Sequence, residues 1–343
     1  MKKQIFILAA AMLLLVTTSC KKEGEGIFNP EMRISTIYTQ SILYQNDNFV
    51  DGIERYVSEQ WDWQGDKLQS ITYFYPVKQL GKDSTITDTS FVQYFSYDKD
   101  GRLVRADLKG AVNMYADYVY ESNLLKYITI YENGEECISY TFNHSGRTIT
   151  TIDVRVITYL SYKSLPILNR TNPLRFILTD DVAAQIIEAT CRSASMMTKN
   201  GTKNIVTAVL NLTWDNGNLI RITGSLQNSI SMQMDFAYDS KNNPYYKMNE
   251  LSCTLTDIYL PVVALSKNNM VEYTIQQTHM GVTETATTQY EYTYNNLDYP
   301  LRQTVEETWQ KADLVWDEEA QDYYEGSTTS VYRQEDIRFF EYE

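Results

Sequence analysis

Three stretches, Trp63-Gln-Gly-Asp-Lys-Leu68-Gln-Ser-Ile71, Tyr120-Glu-Ser-Asn-Leu-Leu125-Lys-Tyr-Ile128 and Trp214-Asp-Asn-Gly-Asn-Leu219-Ile-Arg-Ile222, repeat one pattern. An aromatic residue leads into a polar turn, a Leu follows at an offset of five and an Ile at an offset of eight. One-residue-longer versions occur at Tyr97-Asp-Lys-Asp-Gly-Arg-Leu103 and Phe142-Asn-His-Ser-Gly-Arg-Thr148. The Asn, Asp and Gly residues tolerate the positive φ angles that tight turns require, and the flanking Tyr, Trp, Ile and Thr favour pleated strands. Each unit therefore reads as the turn of a β-hairpin. Units at residues 97, 120 and 142, and again at 214 and 238, lie about 22 to 24 residues apart, which suits two strands and their connections. An antiparallel up-and-down meander is the simplest topology.

Within the strands, polarity alternates. Val57, Glu59, Trp61 and Trp63 oppose Tyr56, Ser58, Gln60 and Asp62, so one side is mostly apolar and the other polar. A large sheet of this kind must curl to hide its apolar face. The fold class expected is all-β, a meander curled into an open or closed barrel-like sheet. The exception is Thr179 to Met197, where Thr179-Asp180-Asp181 supplies a cap and Val182, Ile186, Ala189 and Cys191 fall at near-helical spacing. One inserted helix is expected near 179–197, placed to plug an open end.

The N-terminus carries an export signal. Lys2 and Lys3 precede an apolar run from Ile5 to Val16, which is too short to span a bilayer. Thr17-Thr18-Ser19-Cys20 resembles a lipobox, although Thr17 stands where Leu or Val is usual. The reading is a lipoprotein signal peptide over 1–19, lipidation of Cys20, a flexible tether over 20–32 containing Glu23-Gly24-Glu25-Gly26, and a single β-rich domain over 33–343. Cleavage removes two lysines, so 28 basic residues face 44 acidic ones and the formal charge moves from -14 to -16. Such a charge disfavours nucleic acid and anionic membrane surfaces as partners. Lipid on Cys20 would supply the membrane attachment, in the outer membrane, periplasmic or surface-exposed.

The C-terminal half carries Phe236-Ala-Tyr-Asp-Ser-Lys-Asn-Asn-Pro-Tyr-Tyr246, then Leu265-Ser-Lys-Asn-Asn269, then Tyr290-Glu-Tyr-Thr-Tyr-Asn-Asn-Leu-Asp-Tyr-Pro-Leu301. In this order they resemble a family of Bacteroidetes lipoproteins of unknown function with a porin-like fold. The hairpin units also resemble the YD repeats of large secreted β-shell proteins, which are longer and more regular. The resemblance implies a curled antiparallel sheet and carries over no catalytic or binding residue. Asp83-Ser84-Thr85 matches the short pattern on which exported Bacteroidetes proteins are O-glycosylated, with Ser84 the acceptor.

Chemistry-bearing patterns are sparse. His144 and His279 are the only histidines, no phosphate-cradling glycine loop or HExxH occurs, and no Cys/His cluster suggests zinc. Beyond Cys20 the cysteines are Cys137, Cys191 and Cys253, so at most one disulfide forms. No cofactor or metal is expected. Asp317, Glu318 and Asp322 could offer oxygen ligands to calcium, but they read first as a solvated hairpin tip. The expectation is a non-enzymatic binding or scaffold role with a glycan or envelope-protein partner. Trp309, Trp316, Tyr323 and Tyr324 are the first choice for a glycan-stacking platform linked to polysaccharide uptake. A carrier of a lipid or apolar ligand would instead need a cavity inside the sheet, and a glycosidase two facing carboxylates.

Overall fold

The computed structural model describes residues 27–78, 85–110, 114–156, 206–226, 230–248, 262–279, 282–317 and 322–343. The expected helix near 179–197 lies outside them, as do the signal peptide, Cys20, Ser84, Cys191 and Cys253. Among the described residues the chain forms β1 (Ile34–Gln45), β2 (Asn48–Gln64), β3 (Lys67–Lys78), β4 (Thr85–Tyr97), β5 (Leu103–Gly110), β6 (Met114–Glu121), β7 (Leu124–Glu132) and β8 (Glu135–Ser145). It continues through β9 (Thr148–Val156), β10 (Val206–Asp215), β11 (Asn218–Leu226), β12 (Ile230–Asn242), a single helical turn α1 (Val262–Leu265), β13 (Asn268–His279), β14 (Val282–Tyr294), β15 (Pro300–Asp317) and β16 (Asp322–Tyr342). Every strand pairs antiparallel with its neighbours in sequence, and β1 pairs with β16, so the meander closes into a 16-strand barrel. Closure removes the free edges at the first and last strands.

The turns are the ones the sequence asks for. Asn46 and Asp47, Ser122 and Asn123, Asn133 and Gly134, and Asn216 and Gly217 each place two consecutive residues at positive φ. That is the backbone of a type I′ turn, whose twist matches the strands it joins. Hairpins from an even to an odd strand, together with both ends of the barrel chain, gather at one rim. The other hairpins gather at the opposite rim.

At the first rim the repeated unit acquires a physical meaning. A register shift precedes each of Trp63, Tyr97, Tyr120, His144 and Trp214, and these pair respectively with Leu68, Leu103, Leu125, Ile149 and Leu219. The fourth unit therefore centres on His144, Ile149 and Ile152, with the same offsets of five and eight, rather than on Phe142 and Thr148. Such bulges sharpen the local twist and curl the sheet.

The aromatic side chains then latch strands together. Trp63 Nε1 donates to the Ile34 carbonyl at 2.8 Å, Tyr97 Oη to Leu68 at 2.7 Å, and Trp214 Nε1 to Ile149 at 2.7 Å. Tyr238 donates to Leu219 at 2.6 Å, Tyr292 to Met270 at 2.8 Å and Tyr342 to Pro300 at 2.7 Å. In each case an even strand bonds to the start of the strand before it. A Tyr or Trp suits this place because its body joins the core while its tip donates a hydrogen bond.

Adjacent register rows show which face is which. Tyr118, Ile128, Tyr140 and Val154 pair in sequence across β6 to β9, and all four are buried. The next row, Val119, Tyr127, Thr141 and Asp153, holds the exposed Val119 and Tyr127. Another outward row runs Arg105, Asp117, Thr129, Ser139 and Arg155. The buried side chains of the barrel wall form one apolar cluster, with Ile71, Ala106, Ala116, Ile128, Phe142 and Ile152 fully enclosed. An open 16-strand lumen would leave inward side chains wet. At the level of these residues the interior is filled instead.

Candidate functional site

Among the described residues, polar and aromatic groups gather in the barrel interior, at the connection across the first rim, and on the outward face of β4 to β8.

The interior holds a charged pair. Arg338 on β16 donates to Glu59 Oε1 at 2.5 Å, and both side chains are nearly inaccessible, at 2% and 6% exposure. Trp61 Nε1 satisfies the other carboxylate oxygen at 3.0 Å. Burial opposes the charge on Arg338, yet Tyr245 and Glu59 more than offset it, so its pKa is raised. Around the pair stand tyrosines held neutral. Burial pushes the Tyr73, Tyr245 and Tyr292 hydroxyls well above the ordinary value, and for Tyr73 the nearby Glu59 charge adds to the shift. Tyr73 donates to Gln93 at 3.2 Å, and Gln303 donates to Tyr292 at 2.9 Å.

Tyr245 ties this centre to the connection between β12 and β13. Its ring lies 6.2 Å from Trp61 and 6.4 Å from Phe340, so a residue just after β12 reaches side chains of β2 and β16. Tyr245 thus packs the described start of the connection against the core at the first rim. Asp239, Asn243 and Asn269, from the stretches that carry the family resemblance, hold it in place. Asp239 accepts from the Lys241 and Asn269 amides at 2.9 and 3.1 Å and from the Tyr294 hydroxyl. Asn243 accepts from the Tyr245 amide at 2.9 Å and donates to the Ser266 carbonyl at 2.8 Å. A closed circuit runs from the Leu219 amide to Ser266 Oγ, on to Tyr238 Oη, and back to the Leu219 carbonyl. These polar residues fasten backbone, a role that needs no ligand.

On the outward face Tyr115 and Tyr131 stack at 4.6 Å, with the Arg105 guanidinium 3.7 Å from the Tyr115 ring centre. Arg105 also pairs with Asp107 and Asp117 at 3.1 and 3.2 Å. Hydrogen bonding to Asp107 is the largest influence on Arg105 and raises its pKa. Arg105 and Tyr131 both lie against the Tyr115 ring, so this trio is a self-satisfied surface cluster rather than a flat aromatic shelf.

The residues singled out in sequence are only partly placed. Backbone register sets Trp309 opposite Tyr332, Trp316 opposite Tyr323 and Val315 opposite Tyr324 on the long β15–β16 hairpin. Asp317 and Asp322 pair at its tip, while Glu318 lies outside the described residues. Among the described residues no three His, Cys, Asp or Glu side chains converge as a metal site. Among the described residues the buried carboxylates are Glu59, already bound by Arg338 and Trp61, and Glu132 on the separate strand β7. Cys137 is a free buried thiol whose pKa burial raises. In the sequence Glu59 falls on the apolar side of β2, a lone acid among Val57, Trp61 and Trp63, with no sign of its partner. Arg338 carried none, because Glu335 to Glu341 shows no clean alternation.

No protein-family model matches the chain, and no curated protein matches it. Among solved structures it is similar to a porin-like protein from Bacteroides uniformis ATCC 8492, at 11% identity and a TM-score of 0.44, over 90% of this chain and 98% of that one. It is also similar to TcdB2-TccC3-TEV, at 10% identity and a TM-score of 0.26, over 81% of this chain and 13% of that one.

Proposed function

We propose that this chain is a cell-envelope lipoprotein, held to the outer membrane by lipid on Cys20, whose barrel faces water and serves as a non-enzymatic binding or scaffold module. The observation that supports this reading most is the polarity of the barrel wall. Across β5 to β9 the outward rows carry Arg105, Asp117, Arg155, Thr141 and Asp153 beside the exposed Val119 and Tyr127, while the inward row of Tyr118, Ile128, Tyr140 and Val154 is buried. A lipid-embedded barrel needs the reverse, since an Arg or Lys at the bilayer midplane costs about 2–4 kcal/mol. The filled interior weighs against carriage of an apolar ligand among these strands.

Glycan binding is the finer reading, with Trp309, Trp316, Tyr323 and Tyr324 on the β15–β16 hairpin as the stacking residues. Its support is compositional, from 28 tyrosines and five tryptophans. Two measurements test the proposal. Cys20→Ala should abolish palmitate labelling and release the protein from the membrane fraction; retention of label would contradict the anchor. A glycan array should give hits that Trp316→Ala with Tyr323→Ala removes, and an array without hits leaves only the scaffold role.

A further inference from the structure

The β15–β16 hairpin outruns β1 on one side and parts from β14 on the other, while β14 itself stays paired to β13 as far as Val282. Pairing between β14 and β15 is confined to Tyr290–Tyr294 against Pro300–Val305. β15 nevertheless stays paired to β16 from Arg302 as far as Asp317. β1, on the other side, ends at Gln45, opposite Tyr332. Among the described residues, therefore, positions 306–317 of β15 and 322–331 of β16 form a two-stranded ribbon without a third strand. At about 3.3 Å per residue the free edge of β15 extends roughly 40 Å. A two-stranded ribbon alone in water is marginal, and each open edge presents a row of N–H and C=O groups able to pair with another chain.

The two edges differ. Between the pairs Ala312 with Thr329 and Leu314 with Glu325, β16 advances four residues while β15 advances two. The extra residues of β16, which include Gly326, break the regularity of its ladder, as bulges do. The edge of β15 from Glu306 to Asp317 contains neither Pro nor Gly. It is the smoother template.

Charge selects the occupant. The ribbon carries Glu307, Asp313, Asp317, Asp322 and Glu325 against the single base Lys311, while Glu306 at its base is already paired with Arg333 at 2.8 Å. Two copies joined edge to edge would set like charges against one another, which destabilises cross-strand pairs. A strand with Lys or Arg at every fourth position would match the spacing of Asp313 and Asp317 with opposite charge instead. We propose that the edge of β15 from Glu306 to Asp317 is a β-augmentation site for an extended basic segment of a partner protein. Backbone pairing would supply affinity, and the acidic side chains would supply orientation and choice of partner.

The test uses the mature lipoprotein in detergent micelles, with hydrogen exchange read by mass spectrometry. The probe is the peptide Lys-Val-Thr-Val-Lys-Val-Thr-Val-Lys. It should slow exchange across 306–317 by about tenfold, and added salt should weaken the effect. A peptide of the same length with Pro at both Thr positions should give no slowing, because it cannot form the ladder. Glu306→Gln, Glu307→Gln, Asp313→Asn and Asp317→Asn together should weaken peptide binding about tenfold while exchange in β16 stays native, which shows that the hairpin persists. Unchanged exchange across 306–317, protection at another strand alone, or slow exchange arising from self-association without peptide would each overturn the proposal.

Discussion

Arg338 and Glu59 are the residues on which the interior turns. A buried pair of this kind contributes little net stability when intact, yet removal of one partner strands a charge and costs about 3–5 kcal/mol. Arg338→Leu is therefore expected to lower the urea midpoint sharply, whereas Arg338→Leu with Glu59→Leu should recover most of the loss. Equal damage in the single and double variants would show that the pair is not the relevant contact. The surrounding tyrosines make a second prediction. Tyr73, Tyr245 and Tyr292 are buried with raised pKa values, so the folded state holds their protons above pH 10 where the unfolded chain releases them. Their contribution is complete below pH 10 and falls as pH climbs from there, by about 1.4 kcal/mol per tyrosine per pH unit. Urea unfolding should be flat from pH 8 to 9 and weaken steeply by pH 11; a flat profile to pH 11 would show these hydroxyls to be wet. At this scale the sequence was readable only in part. Glu59 stood out as an acid on an apolar side, but its partner lies 279 residues away, and no local pattern encodes such a distance.

The hairpin unit is the element that builds the barrel. Its offsets were legible in the sequence because turn chemistry and period-two polarity are local properties, fixed by residues such as Asn216, Gly217 and Leu219. What was not legible is why the leading residue is aromatic. That emerges only when the next even strand lies down and its Tyr or Trp bonds to the carbonyl of the unit before it. His144 shows the same limit, since its place as the leading residue of the fourth unit depends on register with Ile149. Tyr238→Phe should break the circuit through Ser266 and Leu219, leaving a buried carbonyl short of a donor, and cost about 1–3 kcal/mol. Tyr127→Phe, on the outward face, serves as the control and should cost almost nothing. Gly217→Ala forces an Ala to φ near +83° and should cost about 1–2 kcal/mol. Equal midpoints for all three variants in chemical denaturation would refute the latch.

At the scale of the whole molecule, curling hides the apolar side of a long meander, and closure of β1 on β16 completes it. The sequence indicated that the sheet must curl but not whether it closes, because closure depends on a pairing between the two ends of the domain. It likewise held no signal for the way Tyr245, just after β12, packs into the core at the first rim. The fold places charge and hydroxyl groups outward and a continuous apolar cluster inward, and this supports the proposal's central claim of a water-facing barrel. The most direct measurement is Triton X-114 phase partition of a Cys20→Ala protein lacking residues 1–19, with its β content followed by circular dichroism in the absence of detergent. The account predicts a folded, β-rich protein recovered in the aqueous phase. Recovery in the detergent phase, or β structure that forms only when micelles are added, would contradict it.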